Sequence, residues 1–186
     1  MTGDVRERKK ALRKAIKARV NALSESYRAA ASDAIQRQVL ESDAYRTAES
    51  VFPYIAMPTE PDTRRIIERA LSDGKRVYVP KCVSKTEMIA VRIRSADDLQ
   101  PGAYGIPEPV DCSETAEPDR IDLILVPCVS ASKDGKRLGH GAGYYDRFLA
   151  ESNGKTICLC FREALCDEIP TEETDVRVGR VFFDEA

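Results

Sequence analysis

Residues 121–126 read IDLILV, the most apolar run of the chain. A run of this length, rich in β-formers, suits a central strand buried on both faces. Residues 156–161 (TICLCF) read as a second buried strand and residues 181–183 as a last short one. On the amino-terminal side, Ser50 to Ile55 (SVFPYI) forms a strand in which Pro53 marks an edge or a strand end. Arg76 to Val79 follows, and Met88 to Ile93 alternates in the strand manner. Helices fall between these runs. Pro61 opens one carrying Ile66, Ile67, Ala70 and Leu71, which Gly74 ends, and Tyr144 to Leu149 makes another. Strands alternating with helices predict a single α/β domain across residues 1–186, a mainly parallel open sheet with helices on both faces.

Two further helices occupy residues 4–48 and are expected to pack on the sheet. From Val5 to Leu23 the apolar positions Leu12, Ile16, Val20 and Leu23 recur at helical spacing. Lys9, Arg13 and Lys17 form a basic stripe beside them, of a kind that usually faces water. Ser24 caps the second helix, which buries Ala31, Ile35, Val39, Ala34 and Leu40. Ser95 to Arg120, with four prolines and two glycines, reads as mostly loop.

Composition excludes several classes. Lys plus Arg (29) nearly balances Asp plus Glu (31), which argues against a general nucleic-acid binder. No stretch reaches the apolar length of a membrane span, and the first helix is charged throughout, unlike a signal core. A cytoplasmic, monomeric protein without membrane or nucleic-acid partners is expected. The six cysteines lack any CxxC spacing, and Cys128, Cys158 and Cys160 lie in or beside apolar strands as small core residues.

The chemistry is concentrated in residues 135–147, GKRLGHGAGYYDR, between the strand ending at Val126 and the helix at Tyr144. Ligands of open α/β sheets sit beyond the carboxyl ends of the strands, where a helix amino terminus favours phosphate. Gly139, Gly141 and Gly143 allow close approach to a polyphosphate and can form an anion nest, with Arg137 adding a fixed charge. The spacing is GxGxG, neither the P-loop nor the dinucleotide fingerprint. Three alternate glycines alone fit a flexible turn equally well. Tyr144, Tyr145 and Asp146 add aromatic surface and a carboxylate able to hold Mg2+ or simply to favour the helix start.

RLGHGAGYYDR resembles the signature of the 5-formyltetrahydrofolate cyclo-ligase family. Other landmarks follow in the family's order: Lys9, Lys10, Leu12 and Arg13 near the start, Met57 to Glu60, Tyr104 to Pro109 (YGIPEP), Asp122 to Pro127, then Ile169, Pro170 and Asp175. The resemblance implies that Lys9, Lys10, Arg13, Arg137, Leu138, Gly139, His140, Gly141, Ala142, Gly143, Tyr144 and Tyr145 surround ATP. It further implies that Asp146 and Asp175 hold Mg2+, and that Ile55, Glu60, Tyr104 and residues 140–144 border the folate. Arg137 and Asp146 would act on the chemistry itself. His140, the single histidine, is read as a contact to ligand or solvent rather than a general base. Cys128, Ala131 and Ser132 depart from the family's usual Gly and Phe-Asp, and Gly179 stands where a second Asp is common.

The implied reaction transfers the γ-phosphoryl group of ATP to the formyl oxygen of 5-formyltetrahydrofolate. N10 then attacks the formyl carbon and phosphate leaves, giving 5,10-methenyltetrahydrofolate. Two other readings stand against it. One is a catalytically lapsed relative with a regulatory role, which would bind folate saturably without ATP turnover. The other is an RNA-associated module built on the basic first helix, which would need salt-sensitive RNA retention.

Overall fold

Apolar strands and amphipathic helices alternate through most of the chain, and the computed structural model describes residues 2–102 and 105–185. Helix α1 (Thr2–Asn21) buries Ile16 and Val20, as its apolar spacing predicts. It also buries Lys9, so the basic stripe is not simply a wet face. Helix α2 (Glu25–Glu41) starts at Ser24, whose side chain accepts from Tyr27 N, and buries Ala31, Ile35 and Val39 together with the polar Ser32 and Gln36. A short α3 (Asp43–Thr47) leads into β1 (Ser50–Phe52). Pro53 ends that strand, which lies mid-sheet and not at an edge.

Helix α4 begins at Arg64, later than Pro61 suggested. The chain before it is held by the Tyr54 hydroxyl donating to Pro61 O at 2.7 Å and the Thr63 hydroxyl donating to Tyr54 O at 2.6 Å. Asp62 then accepts from Arg64 N at 3.0 Å, a local turn that competes with earlier helix entry. Helix α4 (Arg64–Ser72) ends at Gly74, whose φ of 74° is cheap only for glycine.

Strands β2 (Arg76–Cys82) and β3 (Met88–Ile93) form an antiparallel pair. The stretch expected as loop carries a small hairpin, β4 (Leu99–Pro101) with β5 (Pro107–Pro109), and a two-residue edge strand β6 (Thr115–Ala116). Strand β7 (Leu123–Val126) is buried at every residue. After it comes a second hairpin, β8 (Ser130–Ala131) with β9 (Arg137–Leu138), then α5 (Tyr144–Ala150), β10 (Lys155–Leu159) and β11 (Arg180–Phe182).

The main sheet runs β11-β10-β7-β1-β2-β3-β6, and its first five strands are parallel. The crossover from β1 to β2 steps one way along the sheet and that from β7 to β10 steps the other. Right-handed crossovers in opposite directions put α4 and α5 on opposite faces. The Phe52 ring stacks on the Phe148 ring at 4.7 Å on the α5 side, while Ile66, Ile67 and Ala70 of α4 are buried. Open α/β sheets carry their ligand crevice where the winding direction reverses, which here is between the carboxyl ends of β1 and β7.

Cys128, Cys158 and Cys160 are buried in the core and all six cysteines are free. A hydrogen bond with the neighbouring Cys128 thiol, and then burial, raises the Cys158 thiol well above its usual range. No helix among the described residues is long and apolar enough to cross a membrane.

Candidate active site

The segments that leave β1 and β7 face each other across the crevice. After β1 the chain closes a tight turn in which Glu60 N donates to Met57 O at 2.9 Å and Met57 N donates to Glu60 Oε2 at 2.8 Å. This fixes the Glu60 carboxylate, whose side chain is only 4% exposed. Its other oxygen, Oε1, lies 2.8 Å from Nε2 of His140 in the glycine loop. The landmark after the first strand and the glycine signature are thus adjacent in space though eighty residues apart. Ile55 sits half-buried on the same segment.

After β7 the hairpin β8–β9 turns the chain back so that Arg137 enters the interior. At the turn, Gly135 takes φ 88°, and a Cβ there would lie 2.4 Å from Val178 O. Two backbones touch at this point, with Val178 N donating to Gly135 O at 3.0 Å. Arg137 is then buried at 3% side-chain exposure, and its Nη2 donates to Asp146 Oδ1 at 2.7 Å. Asp146, on the first turn of α5, also accepts from Val176 N at 3.2 Å. The carboxyl-terminal segment is thereby tied to the glycine loop.

Lys9 makes the second ionic group. Its ammonium donates to Asp175 Oδ2 at 2.6 Å and to Glu172 Oε2 at 2.8 Å. The hydrogen bond from Lys9 holds the Glu172 carboxyl below its ordinary range. Glu172 escaped sequence reasoning; its one signal is an acid three residues before Asp175 in the run TEETD. Arg13, one turn along α1 from Lys9, donates from Nε to Gly139 O at 2.8 Å. The helix stripe therefore reaches the glycine loop, although Lys10 is exposed on the neighbouring face.

Between Leu138, which is buried, and α5 the loop runs through Gly139, His140, Gly141, Ala142 and Gly143. Gly141 and Gly143 take φ of 111° and 71°, which branched or bulky residues resist. A Cβ at Gly139 would stand 2.6 Å from Arg137 Nη1, so only glycine lets the guanidinium lie against the loop. Tyr144 is half-buried, and Tyr145 turns its ring toward Phe52 at 6.3 Å. Burial, then the charge of Glu60, pushes the Tyr145 phenol far above its usual range. Tyr104 lies outside the described residues. Gly179 donates its N–H to Thr156 Oγ1 at 2.7 Å, and Ser132 and Ala131 are buried parts of the β8–β9 hairpin.

This geometry suits an anion. Arg137 Nε and the Tyr145 hydroxyl are buried, and neither has a hydrogen-bond partner among the described residues. Buried donors of this kind normally find an acceptor. A divalent cation also fits: Asp146 accepts both of its hydrogen bonds on Oδ1, and carboxylate oxygens are the ligands Mg2+ takes alongside phosphate. The acids of the site form pairs with Arg137 and Lys9, and no group of three or more His, Cys, Asp or Glu side chains disposed to hold a metal occurs among the described residues.

Comparison with known proteins gives a consistent result. Residues 5–184 match the model of the 5-formyltetrahydrofolate cyclo-ligase family. The chain is 29% identical over 200 residues to the mouse 5-formyltetrahydrofolate cyclo-ligase, covering 98% of this chain and 96% of that protein. It is 32% identical to a probable 5-formyltetrahydrofolate cyclo-ligase of Caenorhabditis elegans, covering 97% of this chain and 94% of the relative. Its fold superposes on the solved 5,10-methenyltetrahydrofolate synthetase of Aquifex aeolicus with a TM-score of 0.84 at 30% identity, over 94% of this chain and 89% of that one.

Proposed function

This chain belongs to the 5-formyltetrahydrofolate cyclo-ligase family, and we propose that it converts 5-formyltetrahydrofolate to 5,10-methenyltetrahydrofolate with ATP and Mg2+. The observation that carries the proposal is the buried Arg137, with Nε unpartnered, lying against a glycine loop at the sheet's switch point. Such a group is arranged for a polyphosphate, and the Glu60 side of the crevice is arranged for a ligand rich in N–H donors.

The chemical problem is the formyl group, an amide-like carbon whose oxygen is a poor leaving group. The formyl oxygen attacks the γ-phosphorus of ATP, the bond from that phosphorus to the β,γ-bridging oxygen breaks, and ADP departs. The resulting iminium phosphate is attacked at carbon by N10, which loses its proton, and inorganic phosphate leaves with the former formyl oxygen. The protein forms no covalent bond in this sequence; its work is alignment and charge stabilisation. Arg137 donates to phosphoryl oxygens as charge spreads over them, and the N–H groups of residues 139–143 cradle the remaining phosphates. Lys9 and Arg13 hold the nucleotide from α1. Asp146 and Asp175 would hold Mg2+, which when bound neutralises phosphate charge.

Glu60 accepts hydrogen bonds from the amino and ring N–H groups of the pterin, and this fixes the formyl group toward the glycine loop. His140 already occupies that carboxylate at 2.8 Å, so it acts as a companion of the folate contact and not as a base. Tyr104 and Ile55 flank the ring in the same reading. The free cysteines suit a reducing, cytoplasmic setting.

The test is to mix purified protein, 5-formyltetrahydrofolate and Mg-ATP and follow the near-ultraviolet absorbance of the methenyl product. A rise that needs every component supports the reading. Saturable folate binding without turnover would overturn it in favour of a lapsed relative.

A further inference from the structure

Two guanidinium groups grip the backbone of the glycine loop, and one of them, Arg147, belongs to no binding or catalytic set described above. Arg13 Nε donates to Gly139 O at 2.8 Å, and Arg147 Nη2 donates to Ala142 O at 2.7 Å. In a trans peptide the carbonyl of one residue and the N–H of the next point opposite ways. Among the described residues no peptide bond is cis. Holding the carbonyls of Gly139 and Ala142 therefore also fixes the N–H groups of His140 and Gly143, each turned away from the guanidinium that grips the preceding carbonyl, and fixed N–H groups are what an anion nest is made of.

Arg147 is itself anchored. Its Nε donates to Thr86 O at 2.7 Å, in the turn between β2 and β3, and its guanidinium lies 5.7 Å over the Tyr144 ring. The Tyr144 hydroxyl donates to Ser84 O at 2.8 Å in the same turn. A Cβ on Gly143 would come within 2.8 Å of Arg147 Nη1, so the αL glycine that starts α5 leaves room for this brace. Loop, helix start and turn are thus joined through main-chain carbonyls by one exposed side chain.

We propose that Arg147 is a positioning residue for ATP: it presets the glycine loop against the β2–β3 turn without touching the nucleotide. The inference rests on the reading that this loop binds ATP. Without the brace the loop must be ordered at the moment of binding, which weakens affinity for nucleotide more than for folate, whose anchor Glu60 is fixed by Met57 on the other segment.

The experiment is calorimetric titration with Mg-ATP and steady-state kinetics on the full chain, using wild type, Arg147→Ala, Arg147→Lys and Thr86→Ala. Arg147→Ala is expected to raise the ATP Kd and the KM for ATP about tenfold, the scale of a lost charged hydrogen bond. Its kcat and thermal midpoint should stay close to wild type, and its KM for 5-formyltetrahydrofolate should rise by less than about threefold. Arg147→Lys should recover part of the affinity, since an ammonium reaches one carbonyl but cannot span two. Thr86→Ala should match wild type, because Thr86 holds Arg147 through its carbonyl and not through its side chain. Wild-type ATP affinity in Arg147→Ala, or a parallel loss of ATP affinity, folate affinity and stability, would overturn the proposal. Absence of ATP binding in wild type would overturn the ATP reading beneath it.

Discussion

His140 and Glu60 meet at 2.8 Å across the switch point of the sheet, joining the segment after β1 to the glycine loop after β7. The carboxylate is nearly dry, at 4% exposure, and Met57 N fixes its second oxygen. A buried acceptor this rigid can orient a flat heterocycle edge-on. We expect Glu60→Gln to raise the KM for 5-formyltetrahydrofolate about 10- to 100-fold, while the ATP Kd moves by less than about threefold. Kinetics with each substrate varied in turn check this, and an equal loss for both substrates would contradict the division of the crevice.

Arg137 and Asp146 should behave unequally in stability though alike in activity. Either Arg137→Ala or Asp146→Asn is expected to lower kcat by about 10²- to 10³-fold, since both act on phosphate charge. Asp146→Asn also leaves the buried guanidinium short of its counter-charge, at a cost of about 3 kcal/mol. Arg137→Ala frees a carboxylate that is 23% exposed and reaches water. Urea unfolding should thus show the larger loss for Asp146→Asn, and near-normal turnover in either variant would show that the site is misplaced.

Asp122 links stability to pH at the far end of the sheet from the site. Burial pushes its pKa up, but hydrogen bonds from the Ser50 hydroxyl and the N–H groups of Ser50 and Glu49 outweigh that and hold it below its ordinary 3.8. A folded-state value below the unfolded one stabilises the fold above that ordinary value, and the contribution is lost as pH falls through the folded value. Asp122→Asn should therefore lower the urea midpoint at pH 7, leave turnover unchanged, and converge on wild type as the pH drops below 3.8. A gap that stays constant with pH would rule this out.

Much of the frame was legible because its signals are local. The runs at 121–126 and 156–161 are buried parallel strands, and Met88–Ile93 alternates as β3 should. Ser24 and Gly74 bound their helices by capping and positive φ. What could not be read depends on distant partners. The β8–β9 hairpin has two residues per strand and is held by Val178 and by Cys166 N donating to Ala131 O at 3.0 Å, neither visible at residues 130–138. Lys9 looked solvated because its partners, Glu172 and Asp175, lie more than 160 residues away. Pro61 misled through a general preference for the first helical turn that the Asp62 side chain overrides. In the site, the glycine loop was plain, while the Arg147 brace was not, since it acts on carbonyls that carry no sequence signal.

The measurement that bears most directly on ATP-driven ring closure uses 5-formyltetrahydrofolate carrying oxygen-18 in the formyl group, with Mg-ATP and the intact protein. After turnover, mass spectrometry reads the label in inorganic phosphate. Phosphorylation of the formyl oxygen requires one labelled oxygen in each phosphate released, with one methenyl product per phosphate. Label appearing in water, with unlabelled phosphate, would contradict transfer of the phosphoryl group to the formyl oxygen and with it the role assigned to Arg137 and its loop.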